Sequence, residues 1–201
     1  VLTIHADSKG RALAVDGAWI ARAGSLEDLL ADRPGARVRR WPGILTPGLV
    51  NLHGDELLEE AYHPDPREAD ALGTEPLTGD ALAALAMDDA RWGASARRGV
   101  QRMLAHGTVA VSCGDLRNRA VRDAVHRSGL GVLGRLGRPG GTASLDPYAC
   151  GLPVTFAEPR ESGSAARFAV FDVPDEAALA ARGAGTCVAT VVGGRLVYRR
   201  R

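Results

Sequence analysis

A short apolar run, Leu49-Val50-Asn51-Leu52, gives way at once to His53, Gly54, Asp55 and Glu56. This abrupt change constrains the chain more than any other stretch. The run is bounded by Pro47-Gly48, with Pro42-Gly43 just upstream. It is too short for a helix and reads as a buried strand. A histidine and carboxylates directly beyond a buried strand stand where α/β proteins place ligands, outside the carboxyl ends of strands.

The middle of the chain repeats this arrangement. Thr108–Ser112, TVAVS, is a β-branched run ending in Cys113, Gly114 and Asp115. Those residues hold the same place relative to their strand as His53 and Asp55 hold to theirs. Between the two runs, Thr78 to His106 predicts one long helix, with Thr78 as cap, Gly107 as stop and a bend at Gly93 or Gly99. Arg117 to Arg127 predicts a second helix, stopped by Ser128-Gly129, and Leu130 to Leu136 a third strand. Strands alternating with helices in this way make a parallel sheet with crossover helices. Tyr62 to Thr78 holds Pro64, Pro66 and Pro76, which forbid a continuous helix. It reads as a long loop, either an ordered lid or a disordered segment.

The two ends carry β signals. Val1 to His5 reads as a strand, and Ala12–Val15 and Ala18–Ala21 flank Asp16-Gly17, a strong hairpin signal. Ser25 caps a short helix over Leu26–Leu30, with Glu27 and Asp28 in its first turn. Arg37–Trp41 reads as another strand, so Val1 to Ile44 is expected to form a small antiparallel layer. Pro139–Pro153 reads as loop, and Gly151–Glu158 as holding a short strand. Phe168–Val173, a helix over Asp175–Ala181, Cys187–Val192, a Gly193-Gly194 turn and Arg195–Tyr198 close the chain. The economical arrangement joins both ends into one β layer.

At 201 residues the chain is long enough to bury a core, as one domain or a domain and a half. The net charge of +1 argues against nucleic acid and anionic membrane as partners. Lys9 is the only lysine, and the Arg97-Arg98 pair and the Arg199–Arg201 run read as solvated. Cys113, Cys150 and Cys187 are far apart with no C-x-x-C spacing. Three sparse cysteines without a signal-peptide pattern give the expectation of a reducing cytoplasm and free thiols. Cys150 and Cys187 read as packing residues. No apolar run approaches the roughly 18 to 20 residues of a membrane helix.

The string from Gly43 to His53, GILTPGLVNLH, resembles the start of the barrel in the amidohydrolase superfamily, and more narrowly its imidazolonepropionase and aminodeoxyfutalosine deaminase branch. The Asp16-Gly17 hairpin with Ile20 and Gly24, and the closing hairpin at Gly193-Gly194-Arg195, resemble that family's composite β-sandwich. Gly107-Thr108-Val109 resembles its second barrel strand. The resemblance implies an α/β fold in two parts: a composite β-sandwich of residues 1–46 and 165–201, and a truncated TIM-barrel-like part of residues 47–164, with about three βα units. It also implies a hydrolase of non-peptide C–N bonds, in cyclic amides or amidines of a small-molecule substrate. One divalent metal, zinc, iron or manganese, would activate water. His53, Asp55 and Cys113 are the candidate ligands, and Asp55 and Asp115 the candidate catalytic carboxylates.

Two departures from the family pattern matter. Its first pair is His-x-His, and here Asp55 stands in the second place. Its later ligands are histidines after middle strands or a carboxylated lysine. Here His63 lies in the proline-rich loop, His106 at a helix end, His126 inside a helix and Lys9 upstream of the barrel. A complete barrel needs about 250 residues, whereas the stretch between the β layers has room for about three strands. The chain is therefore either a minimal hydrolase with a rebuilt mononuclear site, or a catalytically inactive relic that serves as a binding or dimerisation module. An exposed parallel sheet edge makes a homodimer an expectation under both.

Overall fold

The computed structural model describes residues 2–158 and 161–200. Val1, at the start of the first expected strand, and Arg201, at the end of the terminal arginine run, lie outside the described residues.

The chain opens with β1 (Thr3–Ala6), β2 (Arg11–Asp16) and β3 (Trp19–Ser25), the last two joined at Asp16-Gly17 in the expected hairpin. α1 (Leu26–Asp32) follows, and Ser25 Oγ accepts a hydrogen bond from Asp28 N. β4 (Arg37–Arg40) completes a sheet of order β3-β2-β1-β4. The expected all-antiparallel layer is corrected here, because β4 runs parallel to β1, with Thr3 opposite Arg37. α1 is the reason: it carries the chain back across the sheet, burying Leu29 against Ile4, Ala6, Ala12 and Ala14. β4 therefore starts from the same end as β1.

β5 (Ile44–Pro47) and β6 (Leu49–Asn51) are separated only by Gly48 and belong to different sheets. α2 (Gly54–Leu58) begins directly after His53. The loop from Tyr62 to Thr78 is ordered. Tyr62 and Leu77 close it as a β-bridge, and it contains a one-turn helix at Pro66–Glu68 and α3 (Ala69–Leu72). The single long helix expected from Thr78 is instead α4 (Gly79–Ala83) and α5 (Asp89–Ala105). Asp88 starts α5 by accepting from Arg91 N at 2.7 Å, a capping bond that an aspartate makes better than it extends a helix. Gly93 and Gly99 lie inside α5, which is continuous through both.

β7 (Thr108–Cys113) is buried throughout. α6 (Arg119–Ser128) is capped by Asn118 and ends on left-handed Gly129. β8 (Gly131–Gly134) and β9 (Thr155–Phe156) complete a sheet of order β8-β7-β6-β9. In it β6, β7 and β8 are parallel, as the alternation of strands and helices requires, and β9 pairs antiparallel with β6. α5 and α6 share its core with Leu57, Leu58, Val109 and Val111. β8 is an open edge: Val132 is 54% and Leu133 49% exposed.

β10 (Phe168–Phe171), α7 (Glu176–Arg182), β11 (Cys187–Val192) and β12 (Arg195–Arg199) follow. They form a sheet of order β12-β11-β10-β5, into which the early strand β5 inserts. Its inner face meets the first sheet in one cluster, where Leu13, Val15 and Trp41 pack with Leu45, Phe168 and Val191. No described helix is long and apolar enough to cross a membrane.

Candidate functional site

The carboxyl ends of β6, β7 and β8 converge on a cleft of about 770 Å³. Each end delivers a chemical group. β6 leads to His53, Asp55 and Glu56, β7 ends in Cys113 with Gly114 and Asp115 beyond it, and β8 leads to Arg135.

Arg135 ties the ends together. Its Nη2 donates to Asp55 Oδ2 at 2.6 Å and to both Glu56 oxygens at 2.8 and 2.9 Å. Its Nη1 donates to Leu52 O at 2.7 Å. The guanidinium is only 11% exposed, against 16% and 12% for the two carboxylates. Gly114 N donates to the same Asp55 oxygen at 2.8 Å. The second oxygen of Asp55, Oδ1, is buried without a hydrogen-bond partner among the described residues. Arg138 and Glu60 extend the ion-pair cluster toward solvent.

His53 lies beneath this cluster, 3% exposed. Its backbone N–H donates to Asn51 Oδ1 at 3.0 Å, and Asn51 Nδ2 donates to Ser144 O at 2.8 Å. The His53 Nε2 is 3.1 Å from Gly140 O. A carbonyl oxygen can only accept, so in this contact Nε2 carries the proton. Cys113 is fully buried, and burial, together with the Asp55 carboxylate, pushes its thiol up to about 12. Gly54 is where α2 crosses β7. A Cβ there would stand 2.2 Å from Cys113 Sγ and 2.8 Å from Ser112 O, so only glycine allows the approach.

As placed, these residues do not fit a metal. A ligand thiol must ionise and a ligand imidazole must offer a free lone pair. Here His53 keeps Nδ1 as a lone pair, but the Cys113 thiol is buried against Gly54 and off the cleft, and the Asp55 carboxylate already holds the Arg135 guanidinium and the Gly114 N–H. No group of three or more His, Cys, Asp or Glu residues able to hold a metal ion occurs among the described residues.

Of the residues singled out from the sequence, Asp55 and Asp115 line the same cleft, with Asp115 exposed at its rim. His53 and Cys113 are buried and do not line it. His63, set aside as a loop residue, is 1% exposed. Arg135 was missed, although it follows the third strand as Asp55 follows the first and Asp115 the second. Trp92 and Asn118, which also line the cleft, carry no signal of their own in the sequence.

No family model matches the chain, and no curated protein matches it. Among solved structures it is similar to the crystal structure of ochratoxinase from A. niger, at a TM-score of 0.42 and 18% identity over 66% of this chain. It is also similar to guanine deaminase from Bradyrhizobium japonicum, at a TM-score of 0.39 and 17% identity over 62% of this chain. The chain spans 30% and 27% of the lengths of these two proteins. Likeness at this level decides neither fold nor activity.

Proposed function

We propose that this chain is an amidohydrolase-like module that binds a small polar molecule at its strand-end cleft and carries no catalytic metal of its own. One observation carries the reading: the Arg135 guanidinium sits between Asp55 and Glu56. A fixed cation already neutralises the carboxylates that would otherwise recruit a metal ion. Arg135, Asp55 and the exposed Asp115 then present charge of both signs along the cleft. The ligand suited to them is small and polar, with both hydrogen-bond donors and acceptors. In this reading the composite β-sandwich of residues 1–46 and 165–201 is the frame, and residues 47–164 hold the cleft. A homodimer through the open β8 edge belongs to the same proposal.

The test is elemental analysis of protein purified without an affinity tag, for wild type and Arg135→Ala, after incubation with zinc, iron or manganese and desalting. Wild type without metal is the expected result. Stoichiometric metal in wild type that is lost in His53→Ala would overturn the reading.

The second reading is a minimal hydrolase of cyclic amides or aminated heterocycles. Two carboxylates on one cleft, Asp55 and the exposed Asp115, favour it: such a carboxylate could move a proton to or from a substrate nitrogen. Its signature is turnover by wild type that disappears in Asp55→Asn.

A further inference from the structure

A second cavity, of about 650 Å³, lies between the loop after Tyr62 and the outer face of α5, and shares no residue with the strand-end cleft. One wall is α5, where Arg97, Arg98 and Arg102 face the groove with Ala94 between them and the helix start. The other wall is the loop, with Pro64, Pro66 and Ala69 providing apolar surface. Asp65 is the only acidic residue among those lining it, against three guanidiniums. Arg98 is used by the fold: it donates to His63 O at 2.8 Å and pairs with Asp65 at 3.3 Å. Arg102 donates to Thr74 O at 2.9 Å and reaches the exposed Glu75 at 3.6 Å. Arg97 is exposed and makes no ion pair among the described residues.

The groove is built rather than incidental. Tyr62 donates to Glu68 at 2.5 Å, Arg91 donates to both at 3.1 and 2.8 Å, and the Arg91 guanidinium stands 4.7 Å from the Tyr62 ring centre. Asp65 and Glu68 form a capping box around the Pro66 turn. The His63 backbone N–H donates to Ser95 Oγ at 2.9 Å. The His63 ring packs on α5 at Gly99, where an added Cβ would lie 2.6 Å from Nε2. Nε2 donates to Leu57 O at 2.7 Å, which fixes the tautomer and leaves Nδ1 as an acceptor. That Nδ1 is buried with no partner among the described residues, on a residue that lines the groove. Burial, with Arg102 and Arg98 nearby, lowers the histidine's pKa, so the acceptor persists at neutral pH.

We infer that this groove is a binding site for a phosphate monoester with a small organic body. Planar guanidiniums recognise phosphate oxygens through paired hydrogen bonds, and Arg97 and Arg102 supply them at the mouth. The apolar loop wall takes the organic body. Because the loop is already clamped, little ordering is needed on binding. The volume lies in the range of small-molecule pockets.

The test is isothermal titration calorimetry with AMP, inorganic phosphate and citrate, on wild type, Arg97→Ala and the Arg97→Ala/Arg102→Ala double variant. Thermal unfolding without ligand checks that each variant is folded. The expected result is saturable AMP binding, at least tenfold weaker in Arg97→Ala and weaker again in the double variant. Inorganic phosphate should bind more weakly than AMP with the same arginine dependence, and citrate should not compete. Absence of AMP binding in wild type, unchanged binding in the folded variants, or citrate binding better than AMP would each overturn the assignment.

Discussion

Arg135 Nη2 lies 2.6 Å from Asp55 Oδ2 and joins the residues that follow the third and first strands of the parallel sheet. The two are 80 positions apart in the chain, and the pair, with Glu56 added, crosses the end of β7. Removing the guanidinium in Arg135→Ala leaves two largely buried carboxylates facing each other. Breaking such a pair from one side costs about 3 kcal/mol or more. Arg135→Lys should recover part of the loss, because an ammonium restores charge but not the planar fork that spans Asp55, Glu56 and Leu52 O. Urea unfolding of the three proteins measures the order: wild type, then lysine, then alanine. Equal midpoints for wild type and alanine would show the cluster to be only a surface ornament.

The thiols give an independent view of the same region. Cys113, Cys150 and Cys187 are all buried and free. Burial pushes Cys113 up to about 12 and Cys187 up to about 11. At pH 8 neither carries appreciable thiolate, and thiolate is the reactive form. A disulfide reagent should therefore reach Cys113 and Cys187 only at the global unfolding rate, and zinc should not slow that labelling. Rapid stoichiometric labelling of native protein at Cys113 would contradict the packing described around Gly54.

How far these features could be read from the chain depends on their range. Asp16-Gly17, Ser25 and the Ser128-Gly129 stop act through their own backbone, and each stands where it was expected. The break before Asp88 was not legible, because helical spacing continues through it and only the capping bond to Arg91 chooses between one helix and two. The parallel pairing of β1 with β4 was hidden for a similar reason, since it depends on where α1 packs. In the site, Asp55 and Asp115 announce themselves by following apolar runs. Arg135 follows one too, but a lone arginine in an arginine-rich chain carries little information until the carboxylates it holds are in view. His53 carries the same positional signal, and its hydrogen bond to Gly140 O, 87 positions away, was beyond the reach of the sequence.

His5 sets a pH dependence. It is 4% exposed, accepts from Trp41 Nε1 at 3.1 Å and packs edge-on to Phe168. Burial, with Arg39 nearby, lowers its pKa from 6.5 to about 4. Between those values the unfolded chain takes up a proton that the folded chain refuses. Stability therefore falls as pH drops from 6.5 toward 4, by up to about 3 kcal/mol for this group. Burial lowers His63 in the same direction. Comparing urea midpoints at pH 7.5 and 4.5 for wild type and His5→Gln isolates the effect, because glutamine can still accept from the indole but does not titrate. The variant should lose less stability on acidification than wild type.

Gly54 provides the sharpest test of how α2 sits on β7. The methyl of Gly54→Ala would meet Cys113 Sγ at 2.2 Å and Ser112 O at 2.8 Å. Neither neighbour can simply swing aside: the sulfur is fully buried, and the oxygen belongs to the backbone of a central strand. Overpacking of this kind costs typically 1–3 kcal/mol, and here about the upper end is expected. Cys113→Ala removes the sulfur and opens room for the methyl but leaves the carbonyl in place. The double variant Gly54→Ala/Cys113→Ala should therefore be more stable than the sum of the single effects requires, by on the order of 1 kcal/mol, while remaining below wild type. Additive effects in a double-mutant cycle would mean that α2 does not approach β7 as closely as the Gly54–Cys113 contact demands.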